Sequence, residues 1–245
     1  MAQFNIKIAG FTAAVTSLFD STKDYCCSYL TEDAPDFSVR VTMEDLAYEQ
    51  DFLDAEADEE GLRRRKFTDP FLERSAIQRS VAENLISRGV LLIHGSTVAV
   101  DGQAFLFTAR CGTGKSTHTR LYREVFGSRA VMVNDDKPFL RFTPEGVLAC
   151  GAPWSGKHGL DTNITVPLRG ICILTRGTEN RIERATAEGV LPLLKAQSNP
   201  PRKEEDLPVW ENLLEALAKA VPVWQMACTK DPAAAEISHA AMSEE

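Results

Sequence analysis

Apolar and polar residues alternate from the start of the chain. Phe4, Ile6 and Ile8 fall at every second position, the pattern of a half-buried strand, and Gly10 closes it. Phe37-Ser-Val-Arg-Val41 repeats the pattern. From Glu44 to Glu60 there are nine acidic residues with scattered apolar ones, followed by Arg63, Arg64, Arg65 and Lys66. This stretch reads as a solvated connector or an edge helix; the alternative is a basic run that meets a phosphate or an acidic partner.

Helical periodicity begins at Asp69-Pro70, an N-cap followed by proline at the first helical position. Leu72, Ala76, Ile77, Val81, Leu85 and Ile86 then mark one apolar face, and Arg88-Gly89 ends it. Two apolar runs, Leu91 to Val100 and Gln103 to Thr108, flank Asp101-Gly102, a strong hairpin signal. The second run leads through a glycine-rich turn into a helix from Lys115 to about Phe126, stopped by Gly127. Ala130 to Val133 is a buried strand ending in Asn134-Asp135-Asp136.

Downstream, Gly151 to Gly159 is too rich in glycine and proline for regular structure and forms a long loop. Ile171 to Leu174 is a further strand, Leu207 to Ala220 an amphipathic helix and Val221 to Met226 a strand. Asp231-Pro232 caps a last, alanine-rich helix. The whole predicts an α/β protein with a central mixed sheet flanked by helices. Residues 1–68 form a β-containing extension with its acidic connector, and residues 69–245 form the core.

The chemistry concentrates at Ala109-Arg-Cys-Gly-Thr-Gly-Lys-Ser-Thr117, between a buried strand and a helix. Glycines let backbone N–H groups turn inward around phosphate oxygens, and the helix start adds partial positive charge. Gly112, Thr113, Gly114, Lys115, Ser116 and Thr117 are the candidate nucleotide-binding residues. Lys115 reaches the β- and γ-phosphates, Ser116 offers a hydroxyl to Mg²⁺, and Cys111 is a small residue filling the loop. Ala109 stands where the standard motif has its first glycine.

Asp135 and Asp136 sharpen the function. After the second strand of such a unit, one carboxylate commonly holds the metal, and an adjacent one can accept the proton of an attacking hydroxyl. The four histidines (His94, His118, His158, His239) form no zinc-ligand spacing.

These residues in this order resemble the HPr kinase/phosphorylase family, which shares its nucleotide-binding core with the phosphoenolpyruvate carboxykinases. The resemblance rests on Ile93-His94-Gly95, the hairpin ending in the phosphate loop, the adjacent aspartates about twenty residues past Ser116, and Pro167-Leu-Arg-Gly170 leading into a strand. It covers roughly residues 75 to 230. It implies an ATP- and Mg²⁺-dependent kinase with a hydroxyl acceptor, Asp135 as general base, Asp136 with Ser116 on the metal, and His94 and Lys115 close to the reacting phosphate. The family's N-terminal domain is not recognisable here, and Pro167 stands where the family carries a glutamate. Both departures point to a shortened relative that phosphorylates a small hydroxylated molecule or a peptide. Trp154, Lys157 and His158 are then the candidate acceptor-side residues. A regulatory nucleotide-binding protein without transfer activity, and a phosphorylase or phosphatase running in reverse, are the alternatives.

Composition narrows the partners. The 27 basic and 35 acidic residues give a net charge of −8, which argues against a nucleic-acid or anionic-membrane surface. Six cysteines without paired spacing, and no apolar leader at the N-terminus, lead to the expectation of a cytoplasmic protein with free thiols. Self-association is left open.

Overall fold

A computed structural model of the chain describes residues 1–59, 61–110 and 112–244. It divides into two compact units, residues 1–84 and 85–245. Sequence analysis drew its boundary earlier, before the helix at residue 69.

In the N-terminal unit β1 (Ala2–Ile8) and β2 (Phe11–Ser17) form a hairpin. Its turn places Ala9 and Gly10 at φ 50° and 83°, the paired left-handed conformations whose twist matches that of the strands. The short helix α1 (Ser21–Tyr25) follows, and β3 (Phe37–Arg40) adds in parallel to β2. The acidic stretch is a regular helix, α2 (Met43–Glu59), although Glu60 lies outside the described residues. It holds its place through a buried ion pair: Glu49 accepts from Arg79 Nε at 2.5 Å and from Nη2 at 3.1 Å. Arg79 lies on α3 (Asp69–Ile86), which begins where the Thr68 carbonyl accepts the N–H groups of Phe71 and Leu72. Glu73 of α3 is fully buried and accepts from the Leu18 and Phe19 N–H groups and the Thr22 hydroxyl, so its buried oxygens are satisfied by fixed donors.

The C-terminal unit is built on a mixed sheet that counts nine strands among the described residues. Its elements in chain order are β4 (Val90–Leu92), β5 (Ser96–Val100), β6 (Gln103–Thr108), α4 (Lys115–Phe126), β7 (Ala130–Asn134), β8 (Phe139–Thr143), β9 (Gly146–Cys150), β10 (Thr165–Arg176), β11 (Arg181–Arg184), α5 (Ala187–Ala196), α6 (Leu207–Ala220), β12 (Val223–Cys228) and α7 (Ala233–Ser243). The main path runs β4-β8-β9-β10-β6-β5-β7. β10 changes partner along its length. Thr165 to Pro167 pair antiparallel with β9, and Ile171 to Arg176 pair parallel with β12, which also carries β11. Its other edge pairs parallel with β6.

Both faces of this sheet are covered, and side-chain alternation decides which residue goes where. Ala104 and Leu106 of β6, with Ile171 and Ile173 of β10, pack under α5 and α6 through Val190, Leu194, Trp210, Leu214 and Leu217. Phe105, Phe107, Cys172 and Leu174 point the other way, against Leu121 and Tyr122 of α4 and Ala234, Ala235 and Met242 of α7. Gly170 makes the close approach of α7 feasible: a Cβ there would lie 2.9 Å from the Met242 methyl.

One sequence expectation differs from the structure in an instructive way. The apolar run from Leu91 to Val100 is not one strand; it breaks at Ile93-His94-Gly95, and β4 pairs with β8 instead. At the break the His94 and Gly95 N–H groups donate to the carbonyls of Gln197 and Asp136. The β8–β9 hairpin and α5 had not been foreseen. Among the described residues no helix is long and apolar enough to cross a membrane, and Cys27, Cys150, Cys172 and Cys228 are free thiols.

Candidate functional site

The register of the sheet gathers the sequence motifs at one end. β7 and β6 both run antiparallel to β5, so the C-terminal ends of β6 and β7 emerge beside the N-terminal end of β5. The glycine-rich loop leaves β6, Asp135 and Asp136 leave β7, and His94-Gly95 enters β5. β10 is parallel to β6 and ends on the same side at Arg176.

Gly112 and Gly114 take φ of 70° and 121°, conformations that side-chain-bearing residues rarely adopt. The Thr113 N–H donates to Arg110 O at 3.3 Å, turning the chain back on itself. Lys115, the first residue of α4, reaches back to donate from Nζ to Ala109 O at 3.1 Å, which puts its ammonium across the mouth of the loop. Ser116 and Thr117 follow in the first turn, half-buried. Cys111 lies outside the described residues. From the other side the Arg176 guanidinium donates to Gly112 O at 2.6 Å.

The two aspartates have different surroundings. Asp135 is buried, and its Oδ1 accepts from Ser96 Oγ at 2.6 Å. Ser96 is fully buried as well and lies 2.7 Å from Thr119 Oγ1 on α4. Ser96 spends its one proton on Asp135, so Thr119 donates to Ser96 Oγ, and the carbonyls of Lys115 and Ser116, each at 3.4 Å, lie within reach of the same hydroxyl. A chain of hydroxyls therefore links the carboxylate at the end of β7 to the helix turn that carries the loop lysine.

Asp136 is half-buried, and its Oδ1 is 3.3 Å from His94 Nε2. Burial raises the Asp136 pKa against the opposing pull of Lys137 and Lys115. Burial, reinforced by the same two lysines, pushes His94 down to about 2. The ring is therefore neutral at ordinary pH, and its contact with Asp136 is that of a neutral imidazole with a carboxyl group rather than an ion pair. Asn134 sets the turn that displays both acids. Its Oδ1 accepts from the N–H groups of Asp136 and Lys137 at 2.8 and 2.6 Å, and its amide donates to the carbonyls of Ala152 and Trp154.

Those last two bonds bring the long loop over the acid pair. Gly156 sits so close that a Cβ would lie 3.0 Å from Asp136 Cβ. Trp154 is buried and packs near Phe139, with ring centroids 6.1 Å apart, so it belongs to the wall beneath the loop. Lys157 and His158 stand exposed in the short helical turn that follows. Ser155 Oγ donates to Asp161 Oδ2 at 2.6 Å and closes the base of the loop. His118 and His239 lie elsewhere, in the aromatic layer between α4 and α7.

The sequence motifs point to Lys115, Ser116, His94, Asp135 and Asp136 but not to Ser96, Thr119, Asn134 or Arg176. Ser96 and Asn134 sit directly beside recognised motifs, and that adjacency was the available signal. Arg176 carries no local signal, because its partner is 64 residues away.

Among the described residues no cluster of three or more His, Cys, Asp or Glu side chains could cage a metal. The donor set instead consists of hard oxygens, the Ser116 hydroxyl and the paired carboxylates. That set fits Mg²⁺ arriving on phosphate, since this ion is usually held by one or two protein oxygens and keeps the rest of its shell from phosphate and water.

No family model matches the sequence, and no curated protein matches it. Among solved structures the chain is similar to the Hpr(Ser) kinase/phosphatase from Coxiella burnetii, with a TM-score of 0.36 and 11% identity over 62% of this chain and 92% of that one. At that distance nothing is transferred from one chain to the other residue by residue.

Proposed function

We propose that the chain is an ATP- and Mg²⁺-dependent kinase that transfers the γ-phosphoryl group to a hydroxyl of a small molecule or a peptide. One observation carries the reading: a glycine-rich loop with Lys115 at its helix start shares a sheet end with a carboxylate pair and a neutral histidine. Loop N–H groups, the helix start and an ammonium suit the triphosphate donor. An adjacent carboxylate suits the acceptor hydroxyl.

In this account the loop from Gly112 to Thr117 binds the phosphate chain, and Lys115 offsets the charge on the transferring group. Mg²⁺, held by Ser116 and one aspartate, supplies charge neutralisation on the β- and γ-phosphates when bound. The packing favours Asp136 as the group that meets the acceptor. It is half-buried rather than enclosed, its pKa is raised by burial, and its neighbour His94 is neutral. Asp135, tied to Ser96, is suited to anchoring and to the metal side. This reverses the roles that the family resemblance implies for the pair. The acceptor oxygen forms its bond to the γ-phosphorus as the bond to the β–γ bridging oxygen breaks, and the acceptor proton passes to the carboxylate. Lys157 and His158, exposed in the turn that begins at Gly156, would offer polar and cationic groups to an anionic group on the acceptor.

The test is transfer of labelled phosphate from ATP to pools of amino acids, sugars and peptides. Asp136→Asn abolishes transfer and keeps nucleotide binding, and Asp135→Asn lowers both transfer and metal dependence. A wild-type chain that binds ATP but labels no acceptor would sink the kinase reading in favour of a regulatory nucleotide-binding protein.

A further inference from the structure

The glycine-rich loop has an outer partner that the proposed reaction does not use. Arg176 is the last residue of β10, and its backbone is held against β12. It registers with Cys228 of β12, and the next residue, Gly177, donates its N–H to Cys228 O at 3.0 Å. Gly177 is itself wedged, since a Cβ there would lie 2.9 Å from Glu179 O and 3.0 Å from Ala227 Cβ. The arginine stem therefore starts from a rigid point and reaches across to the loop, where it donates to Gly112 O at 2.6 Å.

That bond has a directional consequence. In a trans peptide the C=O of one residue and the N–H of the next point opposite ways. Holding the Gly112 carbonyl toward Arg176 aims the Thr113 N–H to the opposite side, where it meets Arg110 O at 3.3 Å. Gly112 is exposed, and among the described residues nothing lies within 4 Å of where its Cβ would be, so the peptide relies on its bonds to Arg176 and to Arg110 O. Glycine at that point also makes the unbraced chain unusually free to rotate.

We infer that Arg176 is a positioning residue of the nucleotide site: by engaging the Gly112 carbonyl it fixes the Gly112–Thr113 peptide, with the Thr113 N–H against Arg110 O, and keeps that carbonyl oxygen from turning toward bound phosphate. The inference rests on the reading of this loop as a phosphate site. A pre-set peptide avoids the ordering cost that a loose loop would pay on binding. Arg176 is exposed, so replacing it leaves the core intact.

The experiment is calorimetric titration of the full chain with Mg–ATP and Mg–ADP, for wild type, Arg176→Ala, Arg176→Lys and Lys115→Ala. Hydrogen exchange at the Thr113 amide is followed in the nucleotide-free protein. The brace predicts that Arg176→Ala weakens both nucleotides about tenfold, a factor worth one peptide group's ordering. It also predicts faster Thr113 exchange with an unchanged melting temperature. Lysine can make the same single bond, so Arg176→Lys returns affinity to within about threefold of wild type. If wild type binds and Lys115→Ala does not, while Arg176→Ala matches wild type in affinity and Thr113 exchange, the brace is wrong and the phosphate site stands. If wild type binds neither nucleotide, the phosphate-site reading falls and takes this inference with it.

Discussion

Replacing Ser96 by alanine removes one oxygen from the middle of a buried relay. That hydroxyl donates to Asp135 Oδ1 at 2.6 Å and lies 2.7 Å from Thr119 Oγ1, and all three residues are buried. A hydrogen bond to a charged group contributes about 1.5–3 kcal/mol. Thr119 keeps its backbone acceptors at 3.4 Å, so its loss is smaller, about 0.5–1 kcal/mol. The sum is about 2–4 kcal/mol, concentrated in the C-terminal unit. All three tryptophans, Trp154, Trp210 and Trp224, lie in that unit, so fluorescence-detected urea unfolding reports on it selectively. With an m-value of about 2 kcal/mol/M the midpoint falls by about 1–2 M. A double-mutant cycle of Ser96→Ala with Asp135→Ala then yields a coupling of about 1.5–3 kcal/mol. A loss under about 0.5 kcal/mol, or an additive cycle, would refute the claim that the hydroxyl relay joins the acid pair to the loop helix.

Two other perturbations probe the same unit. His118 is buried with its Nε2 3.0 Å from Ser238 Oγ, and burial pushes its pKa down to about 4. The unfolded chain, with an ordinary histidine near 6.5, binds more protons, so the stability due to His118 is complete above pH 6.5 and is lost as pH falls toward 4. The full effect is about 3 kcal/mol at most. Urea unfolding at pH 7.5 and 4.5 measures it, and a stability difference between wild type and His118→Gln that does not shrink at the lower pH would count against a buried neutral ring. Gly95→Ala places a Cβ 2.6 Å from Leu106 Cδ1 and 3.0 Å from Phe107 O, against a core strand. It costs about 1–3 kcal/mol and moves His94 off Asp136, which NMR would register as shifted His94 ring and Asp136 carboxyl resonances; unmoved resonances would show that Gly95 does not set the contact.

Local patterns made much of this fold legible. α4 and α6 were readable to the residue because their apolar faces and end signals are continuous in sequence, and the Asp101-Gly102 turn announced its hairpin. α5 was hidden because Pro192 interrupts its interior and masks the helical pattern. The break at Ile93 to Gly95 was hidden for a different reason. Leu91 to Ile93 and Val98 to Val100 give the run an apolar look on both sides, and the forces that split the strand are long-range bonds to Gln197 and Asp136.

The candidate site divides along the same line. Lys115, Ser116, Asp135 and Asp136 belong to contiguous motifs whose chemistry can be read from residue type and spacing. The contacts that distinguish the two aspartates cannot be read that way. Ser96 and His94 reach Asp135 and Asp136 across about forty residues, and only the strand register brings them together.

The central claim is that the loop from Gly112 to Thr117 binds the phosphates of a nucleotide through Lys115. Titration of the wild-type chain and of Lys115→Ala with Mg–ATP tests it directly. The account predicts saturable binding by wild type and at least a tenfold loss in the variant, about 1.4 kcal/mol or more. Equal affinity of the two proteins, or no binding by wild type, would contradict it.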